Sequence, residues 1–378
     1  MKRTIIRGAK VYAGGAFAVR DLYIHGGVFT EMFSPDADTR SIDGRGLLAV
    51  PGFIDIHTHG CAGVDVNAID AAGAEKLCSF AASQGTTSLL LSVLTDTQAR
   101  TLRCIGAIVS AMGAHRQICG IHLEGPFLAP DYKGAMPEAL LRAGDAALLR
   151  DYQRAAGGNI RYLTVSPEIA GALEVIAQAR REGIAVAIGH SGADYETAMR
   201  AIDAGAQAAT HTFNAMKLLH QHFPAILGAV LESDVYCEAI CDGRHLHPGI
   251  VRLLLKTKGT QRVVAVTDSI MAAGLPDGRY KLGVNDVTVA EGDAKLTDGG
   301  VRAGSTLTSA QALRNLMRFT GRPMAALLPL LTENPARLIG LSRKGRIALG
   351  MDADAVLLDE DGGVRMTLGG GEMLYEAN

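Results

Sequence analysis

From Leu47 onward, short apolar runs alternate with helical stretches, and this rhythm constrains the fold more than any other feature of the chain. The runs Ala49–His57, Ser88–Leu94, Ile118–Glu124, Ile160–Ser166, Ile184–His190, Ala206–His211, Val235–Asp242 and Arg262–Asp268 read as eight strands. Most are followed by a helical pattern, as at Ala71–Gln84, Thr97–Gly113, Ala170–Glu182 and Tyr195–Ala204. Strands that alternate with helices lie parallel, because a parallel pair needs a crossover long enough to hold a helix. Eight such units predict an α/β fold of the (β/α)8 TIM-like barrel type, whose usual size is about 250 residues with insertions allowed.

The two ends of the chain read differently. Thr4–Val11, Ala16–Ile24 and Gly27–Phe33 are short strands punctuated by Gly14-Gly15 and Gly26-Gly27. Beyond the eighth barrel strand, the polar, Gly-rich Leu275–Thr297 reads as an inserted hairpin or loop, and Pro323–Leu341 as a closing helical region. Strands then return at Gly345–Ile347, Ala355–Asp359 and Val364–Leu368. The expected organisation is a small β-domain built from residues 1–50 and 343–378, and a barrel over 51–342.

Composition excludes several partner classes. With 37 Lys+Arg against 39 Asp+Glu, the net charge of −2 lacks the basic surplus that nucleic acid requires. Trp is absent and aromatics are 5% of the chain, so a stacking platform is not expected. No apolar run approaches the ~20 residues of a membrane span. The opening MKRTIIRGAKVYAGG alternates like a strand and has no apolar signal core. The six cysteines form no C-x-x-C pair, and the expectation is reduced core residues in a cytoplasmic protein.

The chemistry-bearing residues stand at strand ends. His57 and His59 in Asp55-Ile56-His57-Thr58-His59 are two apart, so on an extended strand they project to one side. Alone, an H-x-H pair is more often simply polar surface. The other strands end at Glu124, His190, His211 and Asp268, at the C-terminal mouth where barrel active sites sit. Four imidazoles and two carboxylates converging there point to a metal centre with an acid–base group, since unpartnered buried charges are costly. Competing templates fail. Gly44-Arg45-Gly46-Leu47-Leu48-Ala49 matches G-x-G-x-x-A but runs into a strand, not a helix; Gly189-His190-Ser191-Gly192 lacks the order of a serine-nucleophile elbow.

Several longer motifs carry a resemblance. Pro51–Gly60 (PGFIDIHTHG), the late Asp268, Glu333-Asn334-Pro335-Ala336 and Gly345–Asp354 resemble the amidohydrolase superfamily. Within it, His122–Phe127 (HLEGPF), Gly189–Ser191 (GHS), Thr210–Met216 (THTFNAM) and Asp242–His245 (DGRH) resemble the N-acetylglucosamine-6-phosphate deacetylase family. The resemblance implies a barrel with a small β-sandwich from both termini, and a homodimer cleaving a small amino-sugar substrate. It implies Glu124, His190 and His211 as ligands of one divalent ion, with His57 and His59 available for a second and Glu124 bridging. The metal implied is zinc first, with Fe, Mn or Co as alternatives. Asp268 is implied as the catalytic acid–base. Ala135, Asn214, Ala215, His222, His245, Ala303 and Gly304 are implied as substrate contacts.

The sequence departs from the family at two places. His222-Phe223-Pro224-Ala225 stands where relatives carry an Arg for the sugar phosphate, and Met136 where some offer a His. Strand four ends Val165-Ser166-Pro167-Glu168 without the lysine that bridges metals in many amidohydrolases, in keeping with the deacetylase pattern. N-acetylgalactosamine 6-phosphate, an unphosphorylated N-acetylhexosamine, and another amidohydrolase activity such as N-acyl-amino-acid hydrolysis stay open at this stage. A catalytically silent binding barrel is disfavoured by retention of the whole ligand set.

Overall fold

The computed structural model describes residues 3–377. The chain opens with β1 (Arg3–Ala13), β2 (Ala16–His25), β3 (Val28–Thr30), β4 (Thr39–Asp43) and β5 (Leu48–Pro51). The barrel strands follow as β6 (Phe53–Thr58), β7 (Thr86–Leu94), β8 (Ile118–Glu124), β9 (Ile160–Val165), β10 (Ala185–Ile188), β11 (Ala208–Ala209), β12 (Tyr236–Ile240) and β13 (Val263–Val266). They form one sheet of eight in sequence order, all neighbours parallel. The ring closes where the Asp268 N–H donates to the His57 carbonyl (2.8 Å) and the His59 N–H to the Ser269 carbonyl (2.8 Å).

The intervening helices are α1 (Ala71–Ser83), α2 (Gln98–Ala114), α3 (Ala146–Ala155), α4 (Ala172–Arg181), α5 (Tyr195–Asp203), α6 (Ala225–Glu232), α7 (Pro248–Lys258) and α8 (Ser309–Thr320). Side chains of Asp70, Thr97, Asp145, Asp194 and Thr308 accept the first free N–H groups of α1, α2, α3, α5 and α8. Those caps fix where the helices begin. The barrel strands are buried on both faces, which explains their continuous apolar runs.

The long run expected at Ala49–His57 is two strands serving two sheets, divided at Gly52. A Cβ on Gly52 would lie 2.0 Å from Thr87 Oγ1, so only glycine lets the chain pass there. Between β13 and α8 the polar insertion is a three-stranded antiparallel sheet, β14 (Gly278–Leu282), β15 (Asn285–Ala290) and β16 (Asp293–Leu296). The C-terminal strands are β17 (Ala355–Leu358), β18 (Val364–Gly369) and β19 (Glu372–Glu376). They join the first five in one mixed sheet ordered β19-β18-β17-β5-β1-β2-β3, with β4 also paired to β1. The two ends of the chain therefore do pair, around a separate core that includes Ile6, Val11, Ile24, Phe29, Leu357 and Leu368. Gly345–Ile347, expected as a strand, is irregular; Ile347 still buries its side chain in that core. The closing region is a broken helix, Met324–Leu327 and Glu333–Leu338 about a 3-10 turn at Leu328–Leu331.

Two glycine substitutions test this packing. Gly52→Ala is expected to cost about 1–3 kcal/mol of stability through overpacking. Gly106→Ala, in the exposed middle of α2 with nothing within 4 Å of the new Cβ, is expected to gain about 0.5–1 kcal/mol. Urea midpoints of the two variants that move in the same direction would contradict the steric assignment.

Candidate metal centre and active site

Six side chains meet at the C-terminal mouth of the barrel. His57 and His59 stand at the end of β6 and Glu124 is the last residue of β8. His190, His211 and Asp268 each lie two residues past the end of a strand, β10, β11 and β13 respectively. The strands stop short there because the backbone turns left-handed, with φ of +48° at His190, +29° at His211 and +48° at Asp268. For residues with a side chain such a conformation costs about 1–3 kcal/mol and persists only where neighbours hold it. The Ser166 hydroxyl donates to the His190 carbonyl (2.6 Å), and the His211 N–H donates to Glu238 Oε2 (2.9 Å). Asp268 is pinned on both sides, by the His57 carbonyl and by the Ser305 N–H (2.7 Å).

The donor atoms crowd together. Glu124 Oε1 lies 3.1 Å from His190 Nε2, 3.3 Å from His211 Nε2 and 3.5 Å from His57 Nε2, and Glu124 Oε2 lies 3.0 Å from His59 Nε2. His190 and His211 present Nε2 atoms 3.0 Å apart, His57 and His59 3.3 Å apart. Asp268 Oδ1 is 3.4 Å from His59 Nε2 and 3.6 Å from His57 Nε2. Glu124 thus belongs to two ligand groups, one with His57 and His59, the other with His190 and His211.

The ring tautomers decide what such crowding means. His59 Nδ1 faces the Ser92 carbonyl (3.1 Å), His190 Nδ1 the Tyr132 carbonyl (2.9 Å) and His57 Nδ1 the Glu238 carboxylate (2.9 Å). Those partners only accept, so Nδ1 carries the proton and a neutral ring turns its Nε2 lone pair inward. Lone pairs and carboxylate oxygens facing one another cannot satisfy each other; a cation among them can. The electrostatics show the same demand for positive charge, which a second proton on His57 meets as well as a metal ion would. Burial opposes charge on His57, but Glu238, Asp268 and Glu124 outweigh it and hold the imidazole well above its ordinary value. Burial likewise raises Glu124, yet His57 and the imidazole hydrogen bonds keep that carboxyl well below its usual range. The mouth therefore favours positive charge, and the imidazole–carboxylate donor set fits a divalent transition ion.

A cavity of about 480 Å³ opens over this floor. His59, Glu124, His190, His211 and Asp268 line it, with Ala135, Asn214, Ala215, His245 and Gly304 from the anticipated contacts. His57 is fully buried beneath. Ala303 is also buried, its N–H donating to the Ala294 carbonyl (3.1 Å), and does not line the cavity. His222 lies away from it on an exposed loop beside His220 and Phe223. His245 is oriented by Asp242, whose carboxylate accepts from both its backbone N–H and Nδ1 at 2.7 Å.

A model of the amidohydrolase family matches residues 48–374. The chain belongs to that family. N-acetylglucosamine-6-phosphate deacetylase of Lysinibacillus sphaericus is 33% identical over 341 residues, 89% of this chain and 88% of its own length. N-acetylgalactosamine-6-phosphate deacetylase of Escherichia coli O157:H7 is 35% identical over 82% of this chain and 84% of its own. Among solved structures, an N-acetyl-D-glucosamine-6-phosphate deacetylase mutant from Mycobacterium smegmatis, in complex with N-acetyl-D-glucosamine-6-phosphate, superposes with TM-score 0.92. It is 32% identical, covering 99% of this chain and all of that one. The resemblance read from the HLEGPF, GHS, THTFNAM and DGRH segments is therefore borne out.

The motifs of this amidohydrolase did not reveal every residue of the site. Lys133 and Arg302 line the cavity, and Glu238 buttresses two ligands from below. The signal for Glu238 was available: it is the lone charge inside the apolar run Val235–Cys241.

If the cluster binds a divalent ion only when folded, mass action stabilises the native state. Zinc added to chelator-stripped protein at 100 times its Kd is expected to contribute about 2.7 kcal/mol. Calorimetric melts show this directly, and an unchanged Tm at saturating zinc would remove the metal centre from the account.

Proposed function

We propose that this protein hydrolyses the acetamide of N-acetyl-D-glucosamine 6-phosphate, releasing D-glucosamine 6-phosphate and acetate. The observation that carries the reading is the convergence of two ligand groups and a cavity-facing Asp268 on one barrel mouth, in a chain related to amino-sugar-phosphate deacetylases. We read Glu124, His190 and His211 as holding one divalent ion and His57 and His59 as holding a second through shared Glu124, with zinc in both positions. A divalent ion in such a site lowers the pKa of water and polarises a carbonyl.

The chain's own residues supply the rest. Asp268 takes the proton from the attacking water and returns it to the leaving amine, its carboxylate held at the mouth by the backbone bonds to His57 and Ser305. Asn214, Ala215, His245 and Gly304 orient the sugar. The Asp242 bond fixes His245 Nδ1 as donor, so Nε2 is free for a sugar hydroxyl. Positive charge for the phosphate comes first from Lys133, since His222 does not reach the cavity of its own subunit and the Arg302 guanidinium is paired with Asp293. We further propose a homodimer, supported by the exposed Leu218, Leu219 and Phe223 on the loop that carries His222. The free cysteines accord with a cytoplasmic setting. Residues 1–50 and 343–378 form the small β-domain beside the catalytic barrel of 51–342.

Acetate release from N-acetylglucosamine 6-phosphate, its galacto isomer and plain N-acetylglucosamine, side by side with added zinc, tests the substrate. The expected kcat/KM for the glucosamine phosphate exceeds that for the plain sugar by about 100-fold, roughly 2.7 kcal/mol. Preference for the galacto isomer would reassign the substrate, and equal turnover of phosphorylated and plain sugar would remove the phosphate from the reading. Asp268→Asn is expected to lower kcat by about 10²–10⁴-fold while metal content stays at the wild-type level. Near-normal turnover in that variant would take proton transfer away from Asp268.

A further inference from the structure

Glu238 lies in the middle of β12, fully buried, and lines no part of the cavity. A carboxylate there is costly unless hydrogen-bonded. Both of its bonds converge on one oxygen: Oε2 accepts from His57 Nδ1–H and from the His211 backbone N–H, each at 2.9 Å, while Oε1 is buried without a partner. The two donors belong to different halves of the centre, His57 to the group with His59 and His211 to the group with His190. Glu124 joins those halves in front; Glu238 joins them from behind.

The pairing is selective. His59 and His190 rest their Nδ1 atoms on neutral carbonyls, and the His211 Nδ1 is buried without a partner. Of the four imidazoles, only His57 receives a full negative charge at Nδ1. A carboxylate in that position strengthens the opposite nitrogen as a donor, whereas a carbonyl chiefly orients it. We propose that Glu238 is a positioning residue that commits His57 to the second divalent ion and couples that ion to the first through the His211 backbone. The inference rests on the two-ion reading above. If Glu238 merely filled space in the strand, a neutral amide of the same shape would serve as well, because the carbonyl oxygen of Gln can accept both bonds.

The test is a titration of cobalt(II) into metal-free wild-type protein and Glu238→Gln, followed by the cobalt absorption bands, with thermal melting of the metal-free forms alongside. Wild type is expected to take up two equivalents. Glu238→Gln is expected to melt like wild type without metal, to bind the first equivalent normally and the second about 10–100-fold more weakly. In the His57→Ala background, which already lacks the second equivalent, Glu238→Gln is expected to change cobalt uptake no further. A Gln variant that binds both equivalents as tightly as wild type, whether or not its metal-free form melts lower, overturns the inference and leaves the two-ion reading intact. A wild-type protein that saturates at one equivalent overturns the two-ion reading, and the inference with it.

Discussion

The mutual approach of imidazole nitrogens and one carboxylate, buried at the floor of the barrel mouth, is the constraint on which the rest of this structure depends. Three of the four rings, those of His57, His59 and His190, are turned by a fixed acceptor behind them, so their Nε2 atoms point at one another by construction. Desolvated acceptors at 3.0–3.5 Å repel, and the fold tolerates them only because a cation can sit among them. His122 shows the contrast. It lies deeper in the same barrel, but its two nitrogens meet the Ser92 and Thr164 hydroxyls at 2.9 Å, and burial holds it well below its ordinary value. Hydroxyls can donate or accept, so that ring is satisfied without an ion and belongs to the packing.

The same mouth is where the barrel closes. β13 meets β6 through Asp268 and His57, so the bond that completes the ring also positions the Asp268 carboxylate beside the two imidazoles of β6. Left-handed backbone at His190, His211 and Asp268 is the local cost, and the compensating bonds come from Ser166 for His190, from Glu238 for His211, and from both His57 and Ser305 for Asp268. A site built this way gains rigidity from the closure of the whole sheet, and distant packing faults around the ring can reach the chemistry.

Much of this was legible in the sequence, for physical reasons that differ by element. Parallel strands buried on both faces leave continuous apolar runs, so all eight were visible, and the polar residue ending a run marked the mouth. Their ends were overextended at His190 and His211 because a left-handed turn leaves no trace in hydrophobic pattern. The split at Gly52 was hidden for a related reason: both halves of Ala49–His57 are apolar, and only the approach of Thr87 shows that one glycine divides two sheets. Thr39–Asp43 and Glu372–Glu376 are strands without a buried face worth the name, held mainly by their pairing partners. Glu238 left no such mark, because candidate ligands stand at strand ends whereas a residue that supports them sits one layer down.

Floor and rim obey different rules, and that separation bears on what the family can vary. The floor is carried by barrel strands whose geometry the whole sheet fixes. The rim comes from the loop around Ala135 and the insertion β14–β16, and it is tied both to itself and to the floor, where the Tyr132 carbonyl faces His190 Nδ1 (2.9 Å). Asn285 donates to the Ala135 carbonyl (2.8 Å), and Asp293 grips Arg302 through two bonds of 2.8 and 3.0 Å. Arg302 stands two residues from Gly304, where a Cβ would lie 2.8 Å from the Asp268 carbonyl, so its fixed cation is anchored about 7 Å farther along an extended segment. Substitution on β14–β16, away from Tyr132 and Ser305, can change the charge at the rim while the candidate ligands and Asp268 keep their own supports. A histidine at 222 lies outside the cavity, on a loop that touches neither the candidate ligands nor Asp268, so its identity leaves the lining of the mouth unchanged.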